Sequence, residues 1–377
     1  MHKKIKVVFV INNFLVGGVE RLFFDIISFF DKEKYDIQIV TVFGTGPLEN
    51  SFRGLGIPIY FAGPSWFFSR ELSFKLYWPF IAPLTLIRIT FFLLKSKPDV
   101  VISSLYQADI FSMIATKIIG IKKRILVQLD VAHFGKIFYF IKKGFAIPFA
   151  TQIVAGSETI KDFLIEYFKV KEEKITRIYN GINYERFKKG IKLIPRLDNP
   201  IIGIVGRLEE IKGQIYVLEA MKILKDKNNL YPTVFFAGEG SLRNDLEKYT
   251  IENNLNNIKF FGNVDNVPEF LSQIDILIVP SISEGFGLVV LEGMVSRKVV
   301  IASDIEVMNE LIKDGETGFL FKSKNAESLA NVLLKILNNI EVCEKIQKNA
   351  FLYAGKNRKI FDIPEVSKNY QNLLTSI

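Results

Sequence analysis

An α/β protein built from two doubly wound halves is the architecture this sequence predicts, on three observations. Short runs rich in Val, Ile and Phe alternate with stretches of helical spacing along the chain, the pattern of a parallel sheet covered on both faces. The pattern restarts after a charged, proline-containing segment at about 188–200, which reads as a linker between domains. Glycine-rich turns follow several of the apolar runs, so each half reads as a series of strand–turn–helix units. With 377 residues, 49% of them apolar, the chain has material for two separate cores.

The first half opens with a strand at 6–11, leaves it through Asn12, Asn13 and the pair Gly17-Gly18, and enters a helix at 19–30. The basic, apolar start has the look of a signal peptide, but the apolar stretch is short and no small-residue cleavage site follows, so it reads as a buried strand. Further strands are expected at 36–43, 57–61, 99–103, 124–129 and 152–155, with helices between them. After the linker come strands at 201–205, 233–237, 258–261, 276–279 and 299–303, and a turn with a short strand at 315–321. Helices are expected at 214–224, from 241, at 267–272, at 288–295, at 326–338 and from about 364.

The densest element is 276–295. A fully apolar strand meets Pro280, a polar turn leads to Gly285-Phe286-Gly287, and a helix starts at Leu288. Such a helix start presents unpaired N–H groups and a positive dipole end to an anion. Glu284 lies in the turn, and Glu292 follows eight residues on among apolar neighbours. Taken alone the element also fits an ordinary surface loop with two glutamates. Arg207 and Lys212, in the loop after the strand at 201–205, offer a donor fork and a compact charge suited to a diphosphate. The Gly17-Gly18 turn is a weaker signal of the same kind.

Charge is unevenly placed. The chain carries a net +9, yet residues 1–190 hold 27 basic against 16 acidic residues, and 51–150 hold 13 against 4. Aromatics crowd the same region at 65–70, 73–80, 88–95 and 134–145. Cations interleaved with aromatics suit an anionic membrane surface; nucleic acid needs similar residues, but so high an apolar content argues against it. Many of these aromatics also suit a core. The segment 79–94 contains Arg88 and is shorter than the roughly 20 residues a spanning helix requires, so it reads as an interfacial or buried helix. The single cysteine, Cys343, excludes an internal disulfide and a cysteine metal cluster, and is compatible with a reducing cytosol.

Several segments together resemble the family 4 retaining glycosyltransferases, of GT-B fold: GRLEEIKG at 206–213, FFAGEGSLR at 235–243, FFGNVDNVPEFL at 260–271, IVPSISEGFGLVVLEGM at 278–294 and DGETGFLF at 314–321. GGVER at 17–21 and IYNGINYERF at 178–187 match as well. The set covers nearly the whole chain and is specific although each piece is not. It implies an acceptor-binding domain at 1–190, with a helix at about 360–377 packing back onto it, and a nucleotide-sugar domain at 196–359. It implies that Arg207 and Lys212, beside Gly206, hold the donor diphosphate, joined by the amides of Gly287 and Leu288. Glu292 would take the ribose hydroxyls, and Glu284 the transferred sugar, within the stretch Gly285, Phe286 and Val289. Gly238, Glu239, Gly240 and Val264 would border the base, and Gly17 and Gly18 would close over the phosphates.

The family retains anomeric configuration without a metal or other cofactor, the nucleotide sugar being a co-substrate, with UDP the default. Many members carry a histidine at the end of a first-domain strand; here Asp130 stands in that place, with His133 three residues on, and either is a candidate. The acceptor class implied is a glycan or lipid-linked acceptor of polysaccharide or lipopolysaccharide synthesis, reached by a cytoplasmic protein peripheral on the plasma membrane. A nucleotide-sugar 2-epimerase shares the architecture but calls for more acid/base histidines than the two present. A phosphorylase needs a cofactor-anchoring lysine in another setting. A non-catalytic module is expected to have lost one of Arg207, Lys212, Glu284 and Glu292, and all four are here.

Overall fold

The computed structural model describes residues 3–15, 17–63, 71–131, 140–188 and 200–376, excepting the side chains of 71–79, of Lys188 and of Ile340. His133 and most of the expected linker lie outside the described residues. The chain divides into two compact units, Met1–Gly181 with Ile363–Ile377, and Ile182–Asp362.

The first unit holds seven parallel strands: β1 (Ile5–Ile11), β2 (Tyr35–Thr41), β3 (Ile59–Phe61), β4 (Val100–Ser104), β5 (Lys123–Gln128), β6 (Gln152–Ala155) and β7 (Ile175–Arg177), in the order β3-β2-β1-β4-β5-β6-β7. Val7 pairs with Ile37 on one side and Val100 on the other. Strands flanked in this way bury both faces, which is why Val7–Ile11 of β1 and Val100–Ile102 of β4 read as apolar runs. Each face carries its own core. On one, helix Gly18–Ser28 presents Leu22, Phe23, Ile26 and Ile27, and helix Ile363–Ser376 adds Val366, Tyr370 and Leu374. Ser367 Oγ donates to the Ile26 carbonyl at 2.8 Å, so the C-terminal helix returns to the first unit. On the other, Ile89 and Leu93 of helix Glu71–Ser96 pack with Ala108, Met113, Ala146 and Ile147. The segment 79–94 is therefore a surface helix with one buried face.

The second unit has six parallel strands: β8 (Ile201–Val205), β9 (Thr233–Ala237), β10 (Ile258–Phe260), β11 (Ile276–Val279), β12 (Val299–Asp304) and β13 (Phe319–Lys322), in the order β10-β9-β8-β11-β12-β13. Ile202 pairs with Val234 and with Ile276. In such a sheet the loops on either side of the order reversal diverge and leave a crevice at the carboxyl edge. The reversal lies between β8 and β11 here, and between β1 and β4 in the first unit. Two elements escape the periodicity: β7, a three-residue edge strand with an exposed Arg177, and helix Ile340–Lys356, whose polar residues obscure the stripe of Cys343, Ile346, Ala350 and Ala354.

Candidate active site

Backbone hydrogen bonds join four loops into one strip along the carboxyl edge of the second sheet. Gly238 N–H donates to the Gly262 carbonyl at 2.7 Å, and Gly206 N–H to Ala237 at 2.9 Å. Leu208 N–H donates to Glu239 at 2.9 Å, while Leu242 N–H returns to Leu208 at 3.0 Å. Ile282 N–H closes the strip onto Ile211 at 2.8 Å. The joint at Gly213 admits only glycine: its φ is +65°, and a Cβ there would strike the Pro280 carbonyl oxygen. Segments distant along the polymer are thereby held edge to edge by main chain, which side-chain substitution does not disturb.

The side chains on this strip are charged. Lys212 Nζ bonds Glu284 Oε1, and both side chains are only about one-fifth exposed. Ser281 Oγ donates to the same oxygen at 2.8 Å, and Ser303 Oγ holds the Ser281 carbonyl. Glu284 Oε1 is thus occupied twice within the protein, and Lys212 keeps two of its three N–H donors for another acceptor. Arg207 is exposed, and its guanidinium donates to Glu209 at 2.7 Å. Its main chain is anchored from below, because Gln214 Nε2 donates to the Arg207 carbonyl at 2.7 Å. Sequence reasoning passed over Gln214, which looks like an ordinary first-turn residue; the signal is its burial beside Gly213, with Oε1 unpartnered among the described residues.

Helix Leu288–Val295 starts at Gly287, φ +87°, with no side-chain cap. The N–H groups of Leu288 and Val289 are then set for an acceptor from outside the helix. Glu292 is half-buried on this helix, between buried Leu291 and Gly293. The Phe286 ring is buried, its centroid 5.9 Å from that of Phe361. Glu239 is exposed and paired with Arg243 at 3.1 Å. Gly240 lies under the Leu208 main chain, Gly285 is buried, and Val264 is half-buried just ahead of helix Val267–Gln273.

In the first unit, Gly17 caps helix Gly18–Ser28 without a side chain. The order reversal is pinned by Asn12, whose Oδ1 accepts from Ala108 N–H at 3.0 Å and whose Nδ2 donates to Gln107 at 2.9 Å. Asp130 follows β5, and Gln128 Nε2 donates to its carboxylate at 2.9 Å. Below lies a network that sequence reasoning missed. Lys142, expected in a membrane-facing basic patch, is instead buried, 2.9 Å from Asp109, which also accepts from Ser103 Oγ at 2.8 Å. Burial pushes the Asp109 carboxyl up from the usual range, against the pull of Lys142 and Ser103. Lys142, Gln128 and Asp130 share a cavity of about 10 Å³ with Ser104 and Tyr106, room for about one water.

Two adjoining family models match: Glycosyltransferase Family 4 over residues 16–186 and Glycosyl transferases group 1 over 186–352. A galactosyltransferase of Escherichia coli, UDP-Gal:alpha-D-GlcNAc-diphosphoundecaprenol alpha-1,3-galactosyltransferase, is 26% identical over 92% of both chains. An uncharacterised glycosyltransferase of Methanocaldococcus jannaschii is 30% identical over 62% of this chain, a match spanning 63% of that relative's length. Among solved structures, Anabaena HepE in complex with UDP-glucose superposes with a TM-score of 0.83 at 20% identity, over 99% of this chain and 100% of the other. With family models spanning both units and a GT-B neighbour matching throughout, the chain belongs to the family 4 glycosyltransferases of GT-B fold.

Proposed function

We propose that the protein transfers a hexose or N-acetylhexosamine from a UDP-sugar, with retention at the anomeric carbon and without a metal, to a lipid-linked glycan. The observation that carries this reading is the strip of four loops with Lys212 and Glu284 joined at its centre. A diphosphate on that strip meets the free donors of Lys212, the Arg207 fork and the amides at 288–289. Those cations neutralise the charge that grows on the nucleotide as the glycosidic bond lengthens, and they are already in position. Glu284 has one oxygen tied to Lys212 and Ser281, so its other oxygen suits a sugar hydroxyl. Glu292 serves the ribose.

By the family resemblance we assign acceptor binding to the first unit, with Gly17 and Gly18 as phosphate contacts and Asp130 or His133 as the candidates for the sugar. The diphosphoundecaprenol-linked substrate named for the Escherichia coli relative supports a lipid-borne acceptor here, and with it a peripheral position on the inner face of the plasma membrane. Among the described residues no helix is long and apolar enough to cross a bilayer.

Thermal shift against UDP-, GDP- and ADP-sugars tests the donor. UDP-sugars should raise the Tm most, and Lys212→Ala should abolish the rise. NMR of the product from an α-linked donor should show an α linkage made equally fast in EDTA. A C2 epimer formed without acceptor would instead favour the 2-epimerase.

A further inference from the structure

Helix Glu71–Ser96 turns an apolar stripe outward. Phe80, Leu84, Ile87, Phe91 and Leu94 recur at intervals of four and three residues, and Phe80, Ile87 and Phe91 are 76, 64 and 66% exposed. That spacing sets the five on one side of the helix over about 21 Å. The opposite side, with Ile89 and Leu93, is already spent on the core. Ile118, Phe140 and Phe145 of the same unit are exposed as well. Of the exposed large hydrophobic side chains described in the first unit, only Leu15, Phe29 and Tyr167 are not among these eight. Monomers seldom expose so continuous an apolar surface without a use for it.

Charge identifies the use. Arg88, which donates to the Ala62 carbonyl at 3.3 Å, and Lys95 are exposed along one side of the stripe. Past its C-terminal end, Leu93 and Leu94 open onto a groove of about 740 Å³ carrying Lys3, Lys4, Lys97, Lys122 and Lys123. The one acid in that groove, Asp99, accepts the Lys6 amide at 2.8 Å. A second copy is a poor occupant, because a two-fold contact through this face sets one basic flank, with Arg88 and Lys95, against another. Nucleic acid prefers stacking rings, and three of the five stripe residues are aliphatic.

The geometry points to an anionic phospholipid surface as the occupant: the stripe sinks to acyl-chain depth while the flanking lysines meet the headgroup phosphates. This deepens the reading of a lipid-borne acceptor and rests on it, since it assigns the face by which the enzyme stays beside that substrate.

Co-sedimentation of the full chain with vesicles of phosphatidylglycerol and phosphatidylcholine, against phosphatidylcholine alone, tests the assignment. The protein should bind the anionic vesicles at least about tenfold more tightly, and Ile87→Ser with Phe91→Ser should remove about tenfold of that affinity. Ile251→Ser, a comparably exposed position in the second unit, should leave binding unchanged. Leu84→Gln with Leu94→Gln repeats the experiment should the first pair lower the Tm. Equal binding by wild type and both pairs, or no binding by wild type, overturns the assignment. So does a dimer of the 43.1-kDa chain that the substitutions split without affecting vesicle binding. Stabilisation by UDP-sugar, measured on the same preparations, is independent of the stripe, so failure of the transferase reading and failure of the surface are told apart.

Discussion

Lys212 and Glu284 each do two things, and the double duty sets what their substitution should show. Each orders the other, and each is assigned to a different part of the donor. Lys212→Ala should lower kcat/KM by about 10²–10³, the usual size for loss of a positioned charge on a leaving group. Glu284→Ala should fall into the same range, and both should melt within a few degrees of wild type, because main-chain bonds hold the strip together. Steady-state kinetics beside calorimetry checks this; wild-type turnover in either variant refutes the assigned roles. Gln214→Ala is expected to act through Arg207, raising KM for the donor more than it lowers kcat. Arg207, Lys212 and Glu284 were legible as residues because glycines and strand ends mark their loops. Gln214 was not, since its contribution is a hydrogen bond to a carbonyl and no motif records that. Lys142 was misread for a related reason: in a run of Lys and Phe nothing tells which lysine turns inward to a distant aspartate.

At the scale of elements, that buried pair joins helix Tyr106–Ile118 to the short π-helix Lys142–Ala146. Two charges removed from water gain little net stability, yet breaking one leaves the other stranded. Asp109→Leu should therefore cost about 3–5 kcal/mol, and Lys142→Met added to it should recover most of that loss. Urea denaturation of the three variants measures the recovery. The pH dependence has a definite sign. With a carboxyl raised in the fold, Asp109 favours the native state most when protonated, below the ordinary aspartate range. That contribution is lost as pH rises through the raised folded value, so the double variant should lack this part of the decline. Gly213→Ala is the corresponding test of the strip. A left-handed residue and a blocked approach to Pro280 should cost more than the ~1 kcal/mol of backbone strain alone and should remove the UDP-sugar thermal shift.

Strands of Val and Ile with glycine turns made the sheets readable, whereas β7 and helix Ile340–Lys356 depend on tertiary burial that local periodicity does not encode. At the scale of the molecule, the two units unfold under different handles. Cys343 lies in the core of the second unit with no exposure, and burial pushes its thiol up to about 11. It should resist iodoacetamide at pH 8 until the second unit opens, which makes alkylation a reporter for that unit. Deleting 363–377 strips Val366, Tyr370 and Leu374 from a core of the first unit. That should abolish its cooperative melting while Cys343 stays protected, a pairing that mass spectrometry of labelled protein can follow.

Helix Ile363–Ser376 also fixes an order of events during synthesis. Everything the second unit needs has been translated by Asp362, whereas the first unit must wait for a segment made after it. The half translated earlier is thus the later to mature, and until its closing helix arrives the nascent chain carries an open apolar face that a chaperone has reason to cover.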